Sequence, residues 1–158
     1  MNDLEKAILR GAKNAERKYE WLTGGHWLSH APESFLQMTV AMELRKKTKN
    51  CIYVDASHNK IKADQDERRL GRPPGNEHER PDISVWFKTS NELRAIIEIK
   101  LAYRFAGVNS DATKIRKILR HKQSALGYLL VYSEEYKLET LKQRFRKWKD
   151  RLDRKSVV

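Results

Sequence analysis

Apolar residues recur along this chain in two rhythms. From residue 3 to residue 22, Leu4, Ile8, Leu9, Ala12, Ala15, Tyr19 and Leu22 fall three or four apart, which predicts a helix with one buried stripe. Thr23-Gly24-Gly25 ends that helix, and a connector from His26 to Ala31 leads to Pro32. Pro32 suits the first turn of a second helix, where its missing N–H would have no partner in any case. The spacing carries that helix to about Lys47, with Leu36, Val40, Glu43 and Leu44 along its inner stripe. The short β-branched and aromatic run Cys51-Ile-Tyr-Val54 then reads as a first strand.

Residues 56–81 interrupt both rhythms with an almost wholly polar stretch. A strand is expected to begin around Lys60, but Gly71, Pro73, Pro74 and Gly75 forbid regular structure further on. Loops this long in compact domains are functional or disordered more often than not. Two strands follow, Ile83 to Phe87 and Leu93 to Leu101, separated by the turn-like run 88–92. Ser110-Asp111 is expected to cap a helix reaching about His121, with Ile115, Ile118 and Leu119 on its apolar face. Gly127 to Tyr132 reads as a buried strand. Ser133 is expected to cap a last helix, whose stripe is Leu138, Leu141, Phe145, Trp148 and Leu152. After the first helix the order is α-β-β-β-α-β-α, an α/β fold with a mixed sheet flanked by helices.

Folding the two central strands about Ser90 brings chemistry together. Pairing residues whose numbers sum to 180 sets Phe87 opposite Leu93, Ile83 opposite Ile97 and Asp82 opposite Glu98. Glu98 and Lys100 are two apart in a strand and share a face. Two carboxylates and an amine thus meet at one end of an apolar hairpin, where burying them is costly unless they pair or hold an ion. Hard oxygen ligands of this kind suit Mg²⁺, with Lys100 placed to orient a water or to offset developing charge. The plainer reading is a cross-strand salt bridge at a sheet end.

Composition changes the picture in one respect. With 39% hydrophobic residues in a 158-residue chain there is enough for one modest core, and 34% charged residues make the surface ionic. The net charge is +12, and residues 101–158 carry 15 Lys/Arg against 6 Asp/Glu. Such an excess favours a polyanionic partner: nucleic acid first, DNA or RNA, with an anionic membrane surface as the rival. Arg104, Lys114, Arg116, Lys117 and Arg120, just past the hairpin, are the candidates for gripping a phosphate backbone. Arg68, Arg69, Arg72 and Arg80 would let the polar loop close over a substrate. The basic last helix reads first as a solvated face. Cys51 is the only cysteine, which excludes an intrachain disulfide or a cysteine-rich zinc site. With no signal-like segment and no run of 18 apolar residues, a cytoplasmic protein without membrane contact is expected.

Pro81-Asp82, a 15-residue gap and then Glu98-Ile99-Lys100 resembles the motif of the PD-(D/E)XK nuclease superfamily, which includes restriction endonucleases and archaeal Holliday-junction resolvases. The element order over about residues 31–150 resembles that superfamily's core as well. The resemblance implies a restriction endonuclease-like fold filling 1–158 as one nuclease domain, with 1–25 as a helical extension and 56–80 as a polar loop. It implies a Mg²⁺- or Mn²⁺-dependent DNA endonuclease in which Asp82 and Glu98 hold the metal and Lys100 assists the attacking water. Many members add an acid from the helix before the first strand. Glu33 is the choice here for catalysis and metal binding, with Glu43 its competitor. Members often dimerise, which makes a homodimer through the first or last helix an expectation. Gln123 could assist, and His26 and His30, flanking Trp27, could touch substrate. The alternative is a non-catalytic nucleic-acid-binding module on the same fold.

Overall fold

The computed structural model describes residues 1–55, 80–90, 92–101, 105–120, 124–133 and 138–154. The strand expected around Lys60, the loop arginines Arg68, Arg69 and Arg72, and Arg104, His121 and Gln123 lie outside them.

Helix α1 (Asp3–Thr23) starts with a capping box. Asn2 Oδ1 accepts the Glu5 N–H at 2.9 Å, and Glu5 Oε2 accepts the Asn2 N–H at 2.9 Å. Gly24, left-handed at φ 72°, closes its far end. Helix α2 (Glu33–Lys47) follows a short 3₁₀ turn, with Pro32 as its N-cap. The strands are β1 (Cys51–Val54), β2 (Ile83–Trp86), β3 (Leu93–Leu101) and β4 (Leu126–Tyr132). Helix α3 (Phe105–Leu119) joins β3 to β4, and α4 (Leu138–Arg154) follows. Together they form an α/β arrangement with a four-stranded mixed sheet in the order β1-β2-β3-β4. Its first two pairings are antiparallel, and β3 with β4 is parallel.

Alternation along the strands divides the core. Ile83, Val85, Ala95, Ile97 and Ile99 face α1 and α2, meeting Leu4, Ile8, Ala15, Leu36, Val40 and Leu44. The other face presents Trp86 and Ile96 to Ile115 and Ile118 of α3, and Val108 of α3 packs with Trp148 of α4. Helix α1 is therefore part of the main core, and the Asn2 amide donates to the Tyr128 hydroxyl of β4 at 2.8 Å. Its last turn overhangs: Leu22, expected on the buried stripe, is 65% exposed beside Trp21 at 83%. Leu9, on the same expected stripe, is also exposed.

Three expectations change. The hairpin register holds at Ile83↔Ile97, Ser84↔Ile96 and Val85↔Ala95, but a bulge then pairs Trp86, not Phe87, with Leu93. The extra residue, Arg94, lets Leu93 and Ala95 pack on opposite faces, and its guanidinium lies 5.4 Å from the exposed Phe87 ring. Helix α3 begins at Phe105, so Ser110 and Asp111 lie inside it and do not cap it. The apolar stripe begins earlier than expected: Phe105 and Val108 pack against Trp148 before Ile115 and Ile118 reach the sheet. Strand β4 is half-buried, with Leu126 exposed, because it forms an edge of the sheet. Ser133, expected to cap the last helix, accepts a hydrogen bond from Arg144 at 3.4 Å, and the four residues before Leu138 lie outside those described.

Candidate active site at the end of the central hairpin

Even-numbered positions of β3 face α3, so Glu98 and Lys100 emerge on the side opposite α1. Asp82, one residue before β2, reaches the same end of the hairpin. Its Oδ2 accepts the Ile99 N–H at 2.6 Å, which anchors the carboxylate beside Glu98. The Asp82 carbonyl accepts the Asp55 N–H at 3.0 Å, so the backbone here is tied to the end of β1 as well. Pro81 is buried and permits no regular continuation of the strand.

Helix α3 supplies the other half. Gly107, Asp111 and Lys114 recur four and three residues apart and line one face of it. A Cβ at Gly107 would stand 3.2 Å from Lys100 Cε, so glycine leaves room for the lysine stem to cross the helix. The Lys100 ammonium then meets Asp111 Oδ2 at 3.3 Å. One turn on, Lys114 Nζ donates to Glu98 Oε2 at 2.9 Å and to the Arg80 carbonyl. Glu98 is 3% exposed. The ammonium is also 2.9 Å from Oε1 but makes no hydrogen bond to it, and that buried oxygen has no donor among the described residues.

Electrostatics mark these acids out. Burial pushes the Glu98 carboxyl up to about 7; Lys114 pulls the other way, and Asp82 and Asp111 add to the rise. Asp82 is raised by burial despite the Ile99 N–H and the two lysines. Glu33, at the first turn of α2, is raised by desolvation and by Asp82, with Lys100 and Lys114 opposing. Glu33 therefore lies within the field of the cluster. Its competitor Glu43 is buried elsewhere on α2 and pairs with Lys46 at 3.2 Å.

The hairpin residues read from sequence, Asp82, Glu98 and Lys100, come together with Glu33 near them. Sequence reasoning missed the parts played by Asp111 and Lys114. The signal was their helical spacing from Gly107, hidden while the helix was expected to start at Asp111. Of the expected phosphate-binding residues, Lys114 is placed against Glu98, Arg116 donates to the Leu152 carbonyl at 3.0 Å, and Lys117 and Arg120 are exposed. His26 and Trp27 line a separate groove of about 650 Å³ between α1, β4 and Leu141, which shares no residue with the acid cluster.

Four carboxylates, Glu33, Asp82, Glu98 and Asp111, share one electrostatic neighbourhood with two ammonium groups. The donor set is all oxygen, hard and partly desolvated, and the buried Glu98 Oε1 makes no hydrogen bond; such a set fits Mg²⁺ or Mn²⁺ in chemical type. Among the described residues no three His, Cys, Asp or Glu side chains stand close enough, as placed, to enclose an ion. The lysines offset part of the acids' charge in this arrangement, Lys100 at Asp111 and Lys114 at Glu98. No helix among the described residues is long and apolar enough to cross a membrane. Compared with family models, curated proteins and solved structures, the chain matches none.

Proposed function

We propose that this chain is a divalent-metal-dependent nuclease that hydrolyses phosphodiester bonds in DNA, built on a restriction endonuclease-like, PD-(D/E)XK-type core. The observation that carries the reading is the pairing of Asp82, anchored at 2.6 Å by the Ile99 N–H, with the buried Glu98, whose Oε1 makes no hydrogen bond although the Lys114 ammonium lies 2.9 Å away. Two like charges so placed are costly without a cation. With all four acids ionised, Glu33, Asp82, Glu98 and Asp111 set against Lys100 and Lys114 leave a surplus of two negative charges in a chain of net charge +12. One divalent ion balances that surplus.

Asp82 and Glu98 would hold Mg²⁺ or Mn²⁺, with Glu33 from α2 as a further acid. Such an ion supplies polarisation of a phosphoryl oxygen and a lowered pKa for a coordinated water. Lys100, 37% exposed at its side chain and paired with Asp111, would orient an attacking water or offset charge on a non-bridging phosphate oxygen. Lys117, exposed in the last turn of α3, and Arg120, exposed just past its end, would grip the backbone without reading sequence. We assign the protein to the reducing cytoplasm on its single cysteine. The exposed Trp21 and Leu22 at the end of α1 are the surface we propose for a homodimer.

A second reading, a non-catalytic nucleic-acid-binding module, draws on the ion pairs themselves, since Lys114 and Lys100 already engage Glu98 and Asp111. Incubating the protein with supercoiled plasmid, single-stranded DNA, branched DNA and RNA in Mg²⁺ or Mn²⁺, with EDTA controls, separates the two. Metal-dependent cutting that is lost in Asp82→Ala and Lys100→Ala is expected. Salt-sensitive binding by the wild type without any cutting would replace the nuclease with the binding module.

A further inference from the structure

Lys114 stands where a metal reading would not have put a lysine. Its ammonium is 2.9 Å from both oxygens of Glu98, a residue 3% exposed, and it also bonds the Arg80 carbonyl, two residues before Asp82. The ammonium straddles the carboxylate, with a hydrogen bond to Oε2 and an ion-pair contact to the buried Oε1. An ammonium offers three donors and one charge; a divalent cation attracts an anionic oxygen from any direction and with twice the charge. The Lys114 side chain is 30% exposed, so solvent is open to its head group. The Arg80 carbonyl would still hold that group beside the site once it left the acid.

We infer that Lys114 is a tethered competitor of the divalent ion: its ammonium compensates Glu98 while the site is metal-free and must be displaced for an ion to bind there. The inference rests on the metal-binding reading of Asp82 and Glu98 and adds to it. It makes a demand with an unusual sign, since deleting a site residue should improve metal binding. Breaking a buried ion pair is costly, and an ion entering the wild-type site bears that cost while one entering a Lys114→Met site does not. A residue that only packed, or only touched phosphate, would leave metal affinity unchanged.

The test is a calorimetric titration of the full chain with Mn²⁺, without nucleic acid, for wild type, Lys114→Met, Lys114→Gln, Lys114→Arg and Glu98→Gln. Lys114→Met and Lys114→Gln are expected to bind Mn²⁺ on the order of tenfold more tightly or better. Lys114→Arg, which keeps the charge, should bind at or below the wild-type affinity, and Glu98→Gln should bind least. Thermal melting supplies the second readout. Lys114→Met should melt below wild type in EDTA, where Glu98 is left unpaired, and should gain more from added Mn²⁺. If one variant fails to fold, the other neutral variant carries the comparison; if neither folds even in Mn²⁺, the ammonium is structurally indispensable and the inference fails. Wild type binding Mn²⁺ with both neutral variants equal or weaker overturns this inference alone. No binding by any of the five chains overturns the metal reading beneath it as well.

Discussion

Glu98 shows at the level of one side chain how burial and charge are set against each other. Its carboxyl, with an ordinary value of 4.5, is pushed up to about 7 by desolvation that Lys114 only partly offsets. In the unfolded chain it ionises near 4.5. Between that pH and 7 the folded state alone holds the proton. The stability this group contributes is therefore complete below pH 4.5 and lost as pH rises through 7. The loss is on the order of 3 kcal/mol at most, before partial exposure of the partner lysine is discounted. Melting in EDTA should show the wild type losing stability from pH 5 to pH 8 with a slope that Glu98→Gln reduces. Equal slopes in the two proteins would contradict it. Deprotonation is also required for metal binding, so Mn²⁺ affinity should weaken as pH falls below 7. On the proposed nuclease reading, Asp111 acts through Lys100, which it pairs at 3.3 Å. Asp111→Asn should lower the single-turnover cleavage rate about tenfold or more with little change in DNA affinity. A loss confined to DNA affinity would mean that Asp111 does not position the lysine.

At the scale of elements, close approach explains several residues that periodicity leaves unexplained. Strand β4 can lie under α3 only because position 127 has no side chain: a Cβ there would stand 2.3 Å from Ile115 Cγ2 and 3.0 Å from Leu119 Cδ1. Gly127→Ala should destabilise the fold by about 1–3 kcal/mol, read as a lower urea midpoint at unchanged slope. Wild-type stability in that variant would mean the helix is free to shift. The bulge between Val85 and Trp86 is a similar case, since hairpin arithmetic cannot foresee an extra residue. It matters little for the site because it lies at the turn end, while Asp82 and Glu98 lie at the other end, where the register is regular. The early start of α3 matters more. It turns Asp111 from a cap into a side chain that faces Lys100.

For the whole molecule, charge is distributed unevenly in two senses. The C-terminal part is strongly basic, while the hairpin end gathers acids that would repel a phosphate backbone unless a cation stood between them. The excess of positive charge predicts DNA binding whose affinity falls steeply with salt, and neutralising Lys117 and Arg120 together should lower the log–log salt slope by up to about 2. Fluorescence anisotropy between 50 and 300 mM salt, about the range where such slopes are read, measures it. An unchanged slope would remove those two residues from the interface. The apolar overhang at Trp21 and Leu22 belongs to the same scale. Trp21→Ser with Leu22→Ser should shift sedimentation towards monomer if α1 pairs two copies, and leave it unaltered if it does not.

Read alone, the chain determined the order of its described helices and strands and the central hairpin with Asp82 and Glu98 at its open end, the early start of α3 apart, because each rests on local periodicity or on a tight hairpin whose partners are near in sequence. Tertiary structure alone decided which remote groups complete that cluster. Lys114 meets Glu98 across 16 positions and Asp111 meets Lys100 through the packing of α3 on β3, with Gly107 giving the lysine room. Distances between separate elements depend on how side chains fit between them, and that information is spread over the whole core.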